Sequence, residues 1–350
     1  MLLIALHLLA RQSPGLMAFV SRELVQPVNQ AFTRLSALLP FSLAEALIAL
    51  GVLAALAYLG YTLWACLRRG GWAVRLYRLG LSCLTAVLAV YAGFCLLWGC
   101  YFYDESFAAK SGLEDGPVSV EELEVVTRYF AGLANHYSTL VEREEDGSYT
   151  TDREAILEKS RDVYQKAEKL YPCLAGPEVK VKGIVCSPIL SLLDFTGFYF
   201  PLTGEANVNM DFPPSLFAST VAHEISHQRG VCREQEANFL AVLSSLEYGD
   251  PDYCYSACLL AYTHLGNALY KADYEAWERV YNGLAPEILL DFAVNRAYWD
   301  RFETPVQTVS NTVYENFMYS YDQDLGLKSY GACVDLLVNY YYEKAVDSKG

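Results

Sequence analysis

The segment HEISH at residues 223–227 holds the residue types of a zinc-dependent hydrolase. Residues four apart in a helix lie one above the other on the same face, so His223 and His227 would present two imidazoles side by side. A single helix can in this way supply two ligands of a tetrahedral zinc ion. Glu224 would lie next to the ion and act as general base toward a water molecule bound there. The motif therefore predicts a zinc site with Glu224 as the catalytic residue.

The alternative is an amphipathic helix in which the two histidines have no common role. Histidine is scarce in this chain, with 5 among 350 residues. A chance match to H-E-x-x-H is therefore expected in roughly one such chain in a few hundred. The metal site is the favoured interpretation.

Zinc needs a third protein ligand, and the position of that ligand distinguishes the classes of zinc hydrolase. The pattern with a third histidine six residues after the second is excluded, because that position is Arg233. Among the carboxylates Glu234 is favoured, since Gly230 can end the first helix in a left-handed turn and let the next helix face the histidines. Glu236 points about 200° away from Glu234. Glu247 is the main rival, because its distance in sequence would suit a ligand on a separate helix.

Two further functions need side chains near the metal. Asn238 lies one helical turn after Glu234, and its amide could hydrogen-bond a zinc ligand and fix its orientation. A hydrolase also needs a donor that stabilises the negative charge developing on the attacked carbonyl oxygen. Several side chains are able to do so, and no spacing selects among them: His264, Arg296, Tyr314 and Tyr330.

Two long uncharged runs precede the motif, at residues 46–67 and 79–103. About 20 apolar residues suffice to cross a bilayer as a helix, so transmembrane helices are predicted at about 46–67 and 79–101. Residues 1–10 are also apolar but would rise only about 15 Å, half a bilayer, so they predict at most a partial span. Residues 1–103 are thus predicted to be a membrane anchor, and residues 104–350 a separate domain.

The charge pattern predicts how this domain is oriented. The loop between the two runs, RRGGWAVRLYR at residues 68–78, carries four arginines and no acid. Short basic loops of this kind stay cytoplasmic, so the domain after residue 103 is predicted on the extracytoplasmic side. The chain has a net charge of −15 although its first 100 residues hold seven basic and two acidic residues, so the outer domain is strongly acidic. Such a charge repels phosphate backbones and excludes nucleic acid as a partner.

The outer domain is predicted to be mainly helical with a small sheet. Alternating, β-branched residues predict strands at about 179–186 and 206–210, whereas residues 187–204 between them are predicted as a loop. Ser119 and Glu122 predict a capping box that begins a long helix, and another helix carries HEISH. Cys173 and Cys186 could form a disulfide, but ten cysteines without regular spacing also fit reduced thiols.

HEISH followed by E-x-x-A-N at residues 234–238 resembles the H-E-x-x-H plus E-x-x-A-D/N signature of gluzincin metallopeptidases. Longer segments resemble a bacterial membrane family, the domain of unknown function 3810 family: LLPFSLAEAL, LLWGCYFY, PLTGEANVN, AHEISHQRG, REQEANFLA and GLKSYGACVDLLV. That family is grouped with the zincin-like peptidases. The resemblance covers nearly the whole chain from about residue 13. It implies a zincin-like domain in which Glu234 is the third zinc ligand, but it implies no substrate.

The zincin resemblance also implies an edge strand before the active-site helix, which pairs with extended substrate main chain to main chain. The predicted strand at 206–210 precedes His223 by about a dozen residues, which is the expected order. Ala206, Asn207, Val208 and Asn209 are therefore expected to bind substrate. An ordinary short strand without a ligand is the alternative.

Together these features predict a membrane-anchored zinc-dependent hydrolase, in particular a gluzincin-type peptidase that acts on peptides or proteins. Two other functions remain open: a catalytically idle membrane-tethered sensor or scaffold that binds zinc, and a zinc-free helical binding module. Charged residues around the motif, such as Glu205, Asp211 and Arg229, predict a site outside the bilayer, because each charge in hydrocarbon would cost about 3 kcal/mol. The sequence predicts neither the substrate nor the oligomeric state.

Overall fold

The computed structural model describes residues 2–319 and 329–348. These residues are mainly helical and include a small sheet, as the sequence predicted. The α-helices, in chain order, are α1 (Leu2–Ala10), α2 (Pro14–Phe19), α3 (Gln26–Ser36), α4 (Leu43–Arg69), α5 (Trp72–Leu97), α6 (Phe107–Ser111), α7 (Val120–Ser138), α8 (Arg153–Lys159), α9 (Gln165–Leu170), α10 (Ser187–Leu192), α11 (Phe217–Gln228), α12 (Glu234–Tyr248), α13 (Pro251–Ala272), α14 (Tyr274–Tyr281), α15 (Pro286–Trp299), α16 (Pro305–Tyr319) and α17 (Ser329–Asp347). A π-helical stretch, Val20–Val25, joins α2 to α3.

The chain forms two compact units. The first comprises Met1–Asp104 together with Phe200–Glu205, and the second comprises Glu105–Tyr199 together with Ala206–Gly350. The predicted anchor and outer domain divide the chain near the same point, but the short segment at 200–205 belongs with the anchor.

Helices α4 and α5 of the first unit are each long and apolar enough to cross a membrane, which supports membrane association. Helix α4 includes the predicted span at 46–67, and α5 overlaps the predicted span at 79–101 but begins and ends earlier. Gly70 and Gly71 separate them with φ of 64° and 66°, a conformation that residues without a Cβ adopt readily. Helix α1 and the segment Pro14–Ser36 are bent by 117° at the break between them, so they would add a third span only as one broken pair.

The segment Phe200–Glu205 is held by polar contacts inside the first unit. The buried Glu205 carboxylate accepts hydrogen bonds from the backbone N–H groups of Leu43 (3.1 Å) and Ala44 (2.7 Å), which begin α4. Thr33 on α3 donates through Oγ1 to the carbonyl of Gly204 at 2.8 Å. A Cβ on Gly204 would stand 2.6 Å from the Thr33 nitrogen, so only glycine fits at this close approach. These contacts explain why the segment groups with the anchor.

The sheet has three strands: β1 (Lys182–Ile184), β2 (Gly197–Phe200) and β3 (Glu205–Asn209). Their order is β1-β3-β2, with β1 and β3 parallel and Lys182 opposite Asn207. Strand β3 is therefore the central strand, and all five of its residues are buried.

The position of β3 corrects the expectation that residues 206–209 form an edge strand. Ala206, Asn207, Val208 and Asn209 do form a strand, but β1 and β2 lie on its two sides. Strand β2 occupies the side of β3 that was expected to be free. It lies within residues 187–204, which were predicted as a loop. The substrate-binding role expected for these four residues thus loses its structural basis.

Helix α11, which carries HEISH, is held inside the core of the second unit. It packs against α12 and α13, and its Val221 and Ile225 side chains are buried. Ser219 on α11 donates its backbone N–H to Ser256 Oγ on α13 at 2.9 Å. Tyr164 donates through its hydroxyl to the Ala222 carbonyl at 2.9 Å. The helix is therefore fixed by apolar burial and by hydrogen bonds on more than one side.

Two local predictions can be compared with the structure. The Ser119–Glu122 capping box is formed and begins α7, as predicted. Cys173 and Cys186 are exposed thiols rather than the two halves of a disulfide.

Candidate metal centre

A left-handed turn at Gly230 connects the two helices of the centre. Gly230 has φ of 87° and donates its N–H to the His227 carbonyl at 2.9 Å, while Val231 donates to the Ser226 carbonyl at 3.1 Å. This pair of hydrogen bonds is the Schellman arrangement, in which glycine is preferred because it has no Cβ. The chain then reverses, and α12 begins at Glu234.

Three side chains converge across this turn. The Nε2 atoms of His223 and His227 lie 3.0 Å apart. The Glu234 carboxylate oxygens lie 3.2 Å from His223 Nε2 and 3.7 Å from His227 Nε2. Ligand atoms that bind tetrahedral zinc at 2.0–2.2 Å stand about 3.3 Å from one another. The separations and the two-nitrogen, one-oxygen donor set therefore fit a zinc ion with three protein ligands.

The other ring nitrogen of each histidine contacts an oxygen. His223 Nδ1 lies 2.9 Å from Asn238 Oδ1, and His227 Nδ1 lies 2.7 Å from the Val231 carbonyl oxygen. Because these oxygens accept, each ring is assigned a proton on Nδ1, and its Nε2 lone pair faces the other ligands. Asn238 thus has the position that was predicted for it.

The carboxylate of Glu224 is buried beside this group, with 4 % of the residue exposed. Within the described residues its Oε2 atom has no hydrogen-bond partner. Burial raises the pKa of Glu224 to about 8; the nearby His223 opposes the shift, and the Glu234 carboxylate adds to it. Without a metal, the site therefore contains a buried carboxylate of raised proton affinity, which is the residue type that a general base requires.

Gly197 on β2 leaves room for this carboxylate. A Cβ at that position would lie 2.7 Å from Glu224 Oε1 and 2.8 Å from the Asn207 carbonyl oxygen. Real side chains do not approach so closely, so only glycine permits the present position of Glu224. No local pattern indicated this role, because it depends on a strand that was not predicted.

The two rival carboxylates lie elsewhere. Glu236 accepts a hydrogen bond from the Ala108 N–H at 3.0 Å, and burial raises its pKa. Glu247 lies near Tyr340, whose pKa is raised by burial, by Tyr171 and by the Glu247 carboxylate. Among the described residues, only the group His223, His227 and Glu234 brings three metal-ligating side chains close enough to share an ion.

Of the four candidate donors for the carbonyl oxygen, Tyr314 contacts the centre. Its hydroxyl donates to Glu234 Oε1 at 2.9 Å. His264 is buried near His223, and burial together with that histidine lowers its pKa to about 4. Arg296 is exposed on α15, and the side chain of Tyr330 lies outside the described residues.

Comparison with known proteins identifies a family and no individual relative. No curated protein and no solved structure matches the chain. A family model described as "Protein of unknown function (DUF3810)" matches residues 21–338. Because this match covers most of the 350 residues, the chain belongs to the DUF3810 family of proteins of unknown function.

Proposed function

We propose that this protein is a membrane-anchored zinc-dependent hydrolase, in particular a gluzincin-type peptidase with a zincin-like outer domain. The observation that carries the proposal is the convergence of His223, His227 and Glu234, with the buried Glu224 carboxylate beside them. An amphipathic helix with incidental histidines would not need a glutamate from a second helix at 3.2 Å and 3.7 Å from both rings.

The proposed roles follow from the contacts of each residue. Zinc, when bound, would polarise both a water molecule and a substrate carbonyl. His223, His227 and Glu234 would hold the ion, and the Asn238 amide would keep the His223 ring in its orientation. Glu224 would take a proton from the attacking water and pass it to the departing amine. In the metal-free centre, burial raises the proton affinity of the Glu224 carboxylate.

A peptide or protein is the proposed substrate, and the extracytoplasmic side of the membrane is the proposed location. The basic loop at 68–78 supports this orientation through the preference of arginine-rich loops for the cytoplasm. Membrane helices α4 and α5 would then keep the enzyme close to substrates at the membrane surface.

Metal analysis of the purified full-length protein tests the proposal. We expect about one equivalent of zinc per chain without chelators in the buffer. Glu224→Gln should retain that zinc and lose peptide hydrolysis, because the amide cannot accept the proton. Less than about a tenth of an equivalent of zinc would favour a zinc-free binding module. Zinc without hydrolysis in the unmodified protein would instead favour a sensor or scaffold.

A further inference from the structure

A cavity of about 700 Å³ opens in the second unit beside the metal centre. Its size lies in the range of small-ligand sites. Its walls come from two segments of the chain, the turn after α10 and one face of α16. The apolar and aromatic side chains that line it include Leu193, Phe195, Val306, Val309, Val313 and Tyr314. Among the described residues of this lining none is charged, so none of them offers a partner to a charged group that loses its hydration there.

The wall on α16 is an apolar stripe that no described residue covers fully. Val306, Val309 and Val313 follow the spacing of one helical face, and they are 47 %, 62 % and 64 % exposed. Single exposed valines are ordinary on a protein surface. These three, however, share one cavity with Phe195 and Leu193. An apolar ligand in the cavity would remove this surface from water, which is favourable.

Two polar contacts tie the walls together, and one of them comes from Ser310, which also lines the cavity. Ser310 donates through Oγ to the Leu193 carbonyl at 2.9 Å, and Asn311 donates to Asp194 Oδ2 at 3.0 Å. Asp194 has φ of 66° at the end of α10, where glycine is usually preferred. Its bond to Asn311 explains why an aspartate occupies this position. A backbone strained in this way is typical of ligand sites, where the surrounding structure maintains it.

The cavity reaches the metal centre through two of its residues. Tyr314, on the α16 wall, donates its hydroxyl to Glu234 at 2.9 Å, and its ring meets that of Phe195 with centroids 6.0 Å apart. Phe195 is followed two residues later by Gly197, which contacts Glu224. Two residues of chain span at most about 7 Å. The cavity therefore adjoins the proposed third ligand through Tyr314 and is separated along the chain by two residues from the glycine that contacts Glu224.

We infer that this cavity is the specificity pocket of the proposed peptidase, and that it receives a bulky apolar side chain next to the cleaved peptide bond. The inference rests on the proposed function. The described lining residues carry no charge and so disfavour acidic and basic side chains, and the volume exceeds what alanine or glycine could fill. An extended peptide presents side chains to one face about every 7 Å, and the cavity adjoins the metal centre because Tyr314 lines the cavity and contacts Glu234.

Binding of small hydroxamates to the zinc-loaded full-length protein in nanodiscs tests the inference by calorimetry. Glycine, leucine and phenylalanine hydroxamates carry the same chelating group and differ only in the side chain. We expect the leucine and phenylalanine compounds to bind at least about 10-fold more tightly than the glycine compound. Val309→Asp should remove this preference and leave the zinc content unchanged. Val346→Asp, at a valine 45 % exposed on α17, is the matched control and should keep the preference.

Each other outcome overturns the inference. Equal affinities of the three compounds, or a preference that survives Val309→Asp, would show that the cavity does not select apolar side chains. Octanohydroxamate binding about 10-fold more tightly than all three, with the gain lost in Val309→Asp, would assign the cavity to an acyl chain instead. A protein that binds no zinc and no hydroxamate would overturn the peptidase proposal itself and the pocket assignment with it.

Discussion

Gly197 lies directly against Glu224, so that a Cβ on the glycine would stand 2.7 Å from Oε1 and 2.8 Å from Cγ of the glutamate. The strand β2 and the helix α11 therefore meet at a contact that tolerates no side chain. This contact limits where the Glu224 carboxylate can lie relative to the two histidines.

Gly197→Ala is expected to displace Glu224 and abolish most hydrolysis without loss of zinc. General acid–base catalysis contributes about 10²–10⁴-fold, so activity should fall by at least about 100-fold. Peptide hydrolysis and zinc content would be measured on the same preparation. Gly132→Ala is the matched control, because a Cβ on that helical glycine meets nothing within 4 Å. Normal activity in Gly197→Ala would show that hydrolysis does not depend on the present position of the Glu224 carboxylate.

Removal of the third ligand is expected to remove the metal. Glu234→Ala should leave below about a tenth of an equivalent of zinc, since two histidines alone bind zinc weakly. Glu236→Gln should retain zinc, because Glu236 accepts from the Ala108 N–H at 3.0 Å and lies away from the histidines. Glu247→Ala is the second control. Loss of zinc in Glu247→Ala together with full zinc in Glu234→Ala would contradict the ligand assignment.

Asn238→Ala is expected to weaken zinc binding although all three proposed zinc ligands are kept. The Asn238 amide oxygen lies 2.9 Å from His223 Nδ1, and loss of such a supporting bond typically costs about 10–100-fold in metal affinity. Asn238→Asp should rescue the affinity, because a carboxylate can accept the same hydrogen bond. Competition with a calibrated chelator would measure each value. Equal affinities of the unmodified protein and Asn238→Ala would show that the contact does not orient the ring.

The sequence was sufficient to predict the features that depend on local patterns. Uninterrupted apolar runs predicted membrane helices, and α4 and α5 are long and apolar enough to cross a membrane. The four-residue spacing of His223 and His227 and the glycine at 230 predicted a helix, a turn and a second helix, and the structure has all three. In each case the determining interactions lie within a few residues along the chain.

Features that depend on distant contacts were not predicted. Strand β2, with the sequence GFYF, has no alternation, and all four residues are partly buried. The period-two signal on which strand prediction relies was therefore missing. Without β2, β3 was expected at an edge of the sheet, whereas it lies between β1 and β2. The contact of Tyr314 with Glu234 joins residues 80 positions apart, so no local pattern could select it from the other candidates.

Loss of the Glu205 carboxylate is expected to loosen the beginning of α4. Its oxygens accept from the N–H groups of Leu43 and Ala44, which the helix itself leaves without partners. Hydrogen bonds to a charged group contribute about 1.5–3 kcal/mol, so Glu205→Ala should destabilise the first unit by about this amount. Amide hydrogen exchange at residues 43 and 44 should accelerate. The exposed Glu23, changed to alanine, is the control, and unchanged exchange in Glu205→Ala would contradict the role of this cap.

The orientation of the chain in the membrane can be tested with its own cysteines. Cys173 and Cys186 are exposed on the second unit, and the arginine-rich loop at 68–78 places that unit outside the cell in our proposal. After mild reduction, a membrane-impermeant maleimide added to intact cells should therefore label the protein. The double variant Cys173→Ser, Cys186→Ser should lose most of the label, because Cys232, Cys254, Cys258 and Cys333 are buried. Labelling that appears only after lysis would place the second unit in the cytoplasm and reverse the proposed topology.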